Sequence, residues 1–225
     1  MREVTDRALA ENLEAFCTHR AHMYRFLSRC FEVEIDADFA REIADEFSLV
    51  SEDGELVESF ALLREEVKDL DEQGLEKLAV LFNRAFFGMG PKTAQKAFPY
   101  ESVYTSAEGI MMQEAFARTV KAYQEAHCAK NPEFPEPEDH VAVQLAFMAC
   151  LCEKSAGYLR EDDLEQAERS LQEQIEFLET HLLNWIEPFL TDLKESVEEG
   201  FYWHLASFTL EFLVKDDSAL NEVMG

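Results

Sequence analysis

Val141-Ala142-Val143-Gln144-Leu145-Ala146-Phe147-Met148-Ala149-Cys150-Leu151-Cys152 is the longest mainly apolar run of the chain, and it has no polar face. The run sits in a helical pattern from about Glu138 to Leu159, and a helix that is apolar on nearly every side has to be enclosed by others. It therefore marks the expected centre of a bundle. Gln144 interrupts it, and it is shorter than the roughly 20 residues needed to cross a bilayer, so no stable membrane insertion is expected.

Outward from this run the chain carries one-sided helical stripes. Leu9, Leu13, Phe16, Met23, Leu27 and Phe31 mark a first helix over about residues 4 to 31, with Arg20, Arg25 and Arg29 assigned to its wet side. Asp36 or Asp38 caps a second helix through Ile43 and Phe47, and a third runs through Leu56, Phe60, Leu63 and Val67. A fourth follows Gly74 through Leu78, Phe82 and Phe86 and stops at Gly88, where glycine admits the left-handed backbone. A fifth, from about Ala107, carries Ile110, Met111, Phe116, Val120 and Tyr123 and ends before Pro132, Pro135 and Pro137.

Beyond the central helix, residues of about 162–184 put Leu164, Leu171, Ile175 and Leu178 on one face and acids on most of the rest, so this helix belongs outside. Residues 185–214 return Trp185, Phe189, Phe201, Tyr202 and Phe208 to the core. Neither strand alternation nor an internal repeat is visible. The expected fold class is all-α, a single-domain helical bundle over 1–225, with the proline-rich stretch 129–137 as its natural hinge.

A chain of 225 residues with 47% hydrophobic residues and 18 phenylalanines has ample material for one core. Its 47 acids against 20 Lys and Arg give a formal net charge of -27. Such a field repels nucleic acid and steers cationic peptides inward, although the same charge also serves solubility. Acids at Glu3 and Asp6 stand where a secretory signal is basic, which points to a cytoplasmic protein. Five cysteines form an odd set without a CxxC pair, so reduced, small apolar side chains are expected, with Cys150 and Cys152 pointing about 200° apart on their helix.

Catalytic apparatus is missing from the pattern. None of the six histidines has a Glu three residues before it, which removes a di-iron bundle, and His19 with His22 has no third ligand nearby. Gly88-Met89-Gly90-Pro91-Lys92-Thr93 fits neither phosphate-loop spacing, and no nucleophile elbow is present. No enzyme, metal or cofactor is expected.

What remains is two stretches at element boundaries, where side chains face a partner without breaking a helix. One is Phe82-Asn83-Arg84-Ala85-Phe86-Phe87-Gly88 followed by Phe98-Pro99-Tyr100-Glu101-Ser102-Val103-Tyr104. The other is Glu136-Pro137-Glu138-Asp139-His140. Residue by residue the second reads also as a plain helix start, with Pro137 in the first turn, Glu138 and Asp139 complementing the dipole, and His140 capping, packing or tuning Asp139. Phe82 and Phe86, four apart, read as core.

In order and spacing these stretches resemble the TorD/DmsD family of molybdoenzyme-specific chaperones. The resemblance implies an all-helical cytoplasmic chaperone, monomeric or homodimeric, that binds the twin-arginine signal peptide and the apo form of a molybdopterin oxidoreductase subunit. It would assist cofactor insertion and delay export. Carried onto this sequence, the signal-peptide-binding residues are Phe87, Pro99, Tyr100, Glu101, Ser102, Tyr104, Pro137, Glu138, Asp139 and His140. The residue chemistry suits such a ligand: aromatic rings for an apolar stretch and carboxylates for a guanidinium pair, with Asp139 as the preferred arginine partner. The alternative is an acidic helical adaptor that binds a mature oxidoreductase subunit without a leader peptide.

Overall fold

The computed structural model describes residues 2–89 and 96–225, and among these every named element is helical. The chain order is α1 (Arg2–Glu32), α2 (Ala37–Arg41), α3 (Gly54–Glu65), α4 (Glu72–Phe86), α5 (Glu101–Thr105), α6 (Glu114–Glu125), α7 (Val141–Arg160), α8 (Leu164–Phe177), α9 (Ile186–Ser196) and α10 (Phe201–Met224). One wider π-type turn continues α2 over Glu42–Glu46, and another continues α8 over Leu178–Leu182. The protein is all-α. Gly90 to Thr93 of the glycine-containing loop lie outside the described residues.

α7 is the axle. Thirteen of its side chains are buried, including Val141, Leu145, Phe147, Met148 and Leu151, as expected for a helix without a polar face. α1 packs along it more extensively than any other pair of elements, and α8 covers a second side. α10 fills in against α3, α8 and α9, carrying Phe201, Tyr202, Phe208 and Phe212 inward. Two groups of tilted and edge-on ring contacts run through this half of the core, Phe26–Phe60–Phe208 and Phe189–Phe31–Phe86–Phe82–Tyr202, the geometry aromatic quadrupoles favour.

Local chemistry explains the ends of several helices. Asp36 Oδ1 accepts the N–H groups of Asp38 and Phe39, so Asp36, rather than Asp38, caps α2. Gly88 adopts φ +65°, and the Met89 N–H closes back on the Asn83 carbonyl at 3.3 Å, ending α4 where expected. Two boundaries differ from the periodicity. The fifth long helix begins at Glu114, leaving Ile110 and Met111 exposed in a turn, because the short α5 has already used residues 101–105. α7 begins at Val141, not Glu138, with His140 as its cap.

Leu9 and Leu164, read as stripe residues, are exposed, and Arg20, assigned to the wet side, is 4% exposed. The reason for Arg20 lies almost 200 residues away. Its Nε and Nη2 donate to the two carboxylate oxygens of Asp216 at 2.5 and 2.8 Å, and Nη1 donates to Gln174 Oε1 at 2.5 Å. Tyr24 donates to the same Asp216 at 2.6 Å. This forked pair satisfies the guanidinium and ties α1, α8 and α10 together.

Removing one partner of an enclosed ion pair strands the other. Asp216→Ala is therefore expected to cost about 3–5 kcal/mol in urea unfolding, whereas joint Arg20→Met and Asp216→Leu replacement costs far less. Equal losses in both variants would show that packing volume, not the pair, accounts for the stability.

Candidate functional site

The two boundary stretches meet. Tyr100 and His140 form an antiparallel bridge between the loop before α5 and the entrance to α7. The Glu101 N–H donates to the Asp139 carbonyl at 2.9 Å, and the Val141 N–H donates to the Pro99 carbonyl at 2.8 Å. The rings of Tyr100 and His140 stand edge-on at 5.1 Å. Residues far apart in sequence thus share one small irregular junction on a helical body.

Side chains then lock this junction. Asp139 is fully buried, and its Oδ2 accepts the Ser102 N–H at 3.1 Å and the Ser102 hydroxyl at 2.5 Å. Ser102 Oγ in turn accepts the Gln113 N–H at 3.0 Å, just before α6. Among the described residues Asp139 Oδ1 has no partner, and burial raises the carboxyl above the usual carboxylate range against the lowering effect of the Ser102 bonds. An incoming guanidinium cannot touch Asp139 in this conformation. That corrects the expectation that Asp139 pairs directly with an arginine: its partner is the first turn of α5.

Glu101 is enclosed as well, at 0% exposure. Gln144 Nε2 donates to its Oε2 at 2.6 Å, His181 Nδ1 lies 3.0 Å from the same oxygen, and Asn184 Nδ2 donates to Oε1 at 3.2 Å. Half-exposed Arg118 stands 3.6 Å from Oε1. Gln144 passes the network on by accepting the Trp185 indole N–H at 3.1 Å. Of these partners only Gln144 left a signal in the sequence, as the polar interruption of the apolar run. His181 and Asn184, three apart in the stretch after α8, and Arg118 on α6 are joined to Glu101 by no spacing rule.

His140 caps α7, its Nδ1 accepting the Ala142 N–H at 3.1 Å. Its imidazole is buried, and desolvation, with a smaller contribution from Lys130, lowers its pKa to about 3. It is a neutral cap, so the reading of His140 as a titrating tuner of Asp139 gives way to the capping one. Pro99 and Tyr100 are buried; Tyr104 is half-buried, with its hydroxyl donating to Asp192 at 2.9 Å. Tyr100 donates to Glu136 at 2.6 Å, and burial raises its phenol well above the ordinary value.

The surface of the site is a narrower set. Phe87 and Phe98 are 48% and 39% exposed, and the Ala97 N–H bonds to the Ala85 carbonyl at 3.0 Å, bringing the Phe98 loop against the helix end that carries Phe87. Glu136, Pro137 and Glu138 are half-exposed beside the junction. Next to it, between α1 and α7, lies a cavity of about 240 Å³ lined by Ser28, Tyr123, Lys130, Phe134, Val143 and Phe147. Phe82 and Phe86 are core, as their spacing suggested.

An all-helical body with an aromatic, acid-flanked junction has the make-up of a helical binding protein. Residues 51–191 match the family described as nitrate reductase delta subunit. The chain is 31% identical over 214 residues to the chaperone protein TorD of Photobacterium profundum, covering 92% of this chain and 96% of that protein. It is 31% identical over 229 residues to the chaperone protein TorD of a Vibrio cholerae serotype O1 strain, covering 96% and 98%. With that of Aliivibrio salmonicida the identity is 26% over 211 residues, covering 91% and 95%. The chain belongs to this family, among its TorD-like chaperones, and is not an enzyme. No described helix is long and apolar enough to cross a membrane.

Two outcomes follow from the lock. Asp139→Ala leaves the buried Ser102 N–H and hydroxyl unpaired and is expected to lower stability by about 1–3 kcal/mol in thermal or urea unfolding. The unfolded chain protonates His140 near its ordinary value of 6.5 and the folded chain only near 3, so this residue makes stability fall as pH drops through that window. His140→Asn, which keeps a capping acceptor, should flatten the melting temperature against pH between those limits. An unchanged slope would remove His140 as its source.

Proposed function

We propose that this protein is a cytoplasmic chaperone that binds the twin-arginine signal peptide and the apo form of a molybdopterin oxidoreductase subunit. It holds that subunit for cofactor insertion and delays its export. The observation that carries the reading is the hydrogen-bonded meeting of the two boundary stretches directly beside exposed Phe87 and Phe98. Exposed rings of this size on a helical surface are expensive to leave wet and favour an apolar ligand.

In this reading the apolar stretch of the leader lies across Phe87 and Phe98, with Pro99, Tyr100 and Tyr104 as its backing. The arginines meet the half-exposed carboxylates of Glu136 and Glu138, while Asp139, Glu101, Ser102 and His140 hold that surface in place from beneath. Exposed carboxylates pair with arginine in forked geometry at little desolvation cost, which an enclosed carboxylate cannot do without the junction opening. The net charge of -27 steers the cationic end inward.

The family description, nitrate reductase delta subunit, favours a second reading: an acidic adaptor for a mature oxidoreductase subunit that carries no leader. Leaderless subunit that binds as tightly as the full precursor would select it.

Calorimetry with a synthetic twin-arginine leader separates the contributions. Phe87→Ala with Phe98→Ala is expected to weaken binding at least about tenfold with circular dichroism unchanged and only a small fall in melting temperature, since both rings are partly exposed. Replacing both peptide arginines by Gln should weaken binding by about tenfold in low salt and less in high salt. Salt-independent binding unaffected by the arginine replacement would defeat the electrostatic part of the reading.

A further inference from the structure

Cys128 and Cys150 are joined by a disulfide across a sequence separation of 22, against the expectation of five reduced thiols. The ring of chain it closes contains Glu136, Pro137, Glu138, Asp139 and His140, the whole second half of the junction. Cys128 follows α6 in a tight turn, its N–H bonded to the Tyr123 carbonyl at 3.0 Å, and Cys150 stands on α7. Both are half-buried and line the cavity between α1 and α7, so a small reductant reaches them from its mouth.

Apart from the Tyr100 hydroxyl, which donates to Glu136 at 2.6 Å near the far end of the segment, little else fastens the intervening residues. Among the described residues the main chain of 129–138 bonds to main chain only locally, Phe134 N–H to the Asn131 carbonyl at 3.2 Å and the His140 N–H to Pro137. Lys130 Nζ donates to the Glu136 carbonyl, and Phe134 stands edge-on to His140 at 5.2 Å. Phe134 and Lys130 thus form the lid side of the cavity, and the disulfide holds that side against α7. Conformational freedom of an irregular segment is what a crosslink removes.

The other three cysteines make a contrast. Cys17, Cys30 and Cys152 are free and fully buried. Burial pushes the Cys17 thiol up to about 11 and Cys152 up to about 12, and raises Cys30 further, so the nucleophilic thiolate is disfavoured in each. Exchange chemistry is confined to one pair.

We infer that Cys128 and Cys150 form a reversible thiol–disulfide site that gates leader binding. The disulfide clamps 129–138 onto α7 and keeps the cavity beside the junction narrow; reduction by a dithiol releases the segment, and an apolar side chain of the leader enters the widened cavity against Phe134 and the stacked Tyr123 and Phe147 rings. The occupant rests on the chaperone reading above, whereas the clamp does not. In the forward step a reductant thiolate attacks one cysteine sulfur, and the protein S–S bond breaks as a mixed disulfide forms. The second reductant thiol then closes its own disulfide and expels the remaining cysteine. Two electrons and two protons pass from the dithiol to Cys128 and Cys150. A disulfide-form oxidant reverses the exchange.

The test uses the full chain oxidised with glutathione disulfide or reduced with dithiothreitol. Thiol counting in denaturant should give three free thiols in the oxidised sample and five in the reduced one; five in both overturns the site. Hydrogen exchange over 129–138 should be faster in the reduced protein and in Cys128→Ser/Cys150→Ser than in the oxidised protein, and identical exchange overturns the clamp. If the released segment is populated in one oxidised molecule in ten, a synthetic twin-arginine leader should bind the reduced protein and the double variant about tenfold more tightly. Equal affinity in both states overturns gating. Absence of leader binding in either state overturns the chaperone reading and gating with it, while thiol count and exchange still decide the clamp.

Discussion

A buried carboxylate sets the terms of this structure. Glu101 is fully removed from solvent, and an isolated charge in that position would be prohibitively costly. It is tolerated because Gln144 from α7, Asn184 beside α9 and His181 from the turn after α8 all converge on its two oxygens. Those partners fix where α5 begins, and the start of α5 fixes Ser102 under Asp139. The junction of the two boundary stretches is therefore the outer surface of an inner polar network. Its shape is dictated from below, leaving Phe87 and Phe98 outside as the adaptable part.

Much of this was legible in one sequence. The all-helical class, the central place of α7 and the stop at Gly88 followed from period, enclosure and backbone freedom, which are local or nearly local properties. The pairing of the two boundary stretches followed from their resemblance to a known family. Depth was not legible. Arg20 looked solvent-facing because the carboxylate that makes its burial tolerable, Asp216, comes from the opposite end of the chain. Asp139 looked like a ligand-facing acid because nothing in its own segment announces the Ser102 hydroxyl and N–H that enclose it. His140 and the true start of α7 were obscured for a related reason, since a proline and two acids also make a convincing first turn. The Cys128–Cys150 bond was hidden by an odd cysteine count, which speaks for reduced thiols only when no pair is brought together by the fold.

The division between enclosed and exposed acids changes how the strong negative charge acts. Groups such as Glu101 and Asp139 spend their hydrogen-bonding capacity on the protein, so they shape the site without presenting charge to a ligand. The many remaining acids, as along the outer side of α8, give a diffuse attraction that salt screens. In the proposed reading, specific recognition then falls to the half-exposed carboxylates of Glu136 and Glu138 at the junction.

The extensive seam between α1 and α7 imposes an order on assembly. α1 leaves the ribosome well before α7, so the surface it is shaped to cover appears more than a hundred residues later, and Arg20 waits longer still for Asp216. Until then its apolar stripe has no native cover, and closing so long a loop is entropically slow. A member of a chaperone family is thus itself, during synthesis, a chain in which α1 needs cover before its partner helix exists.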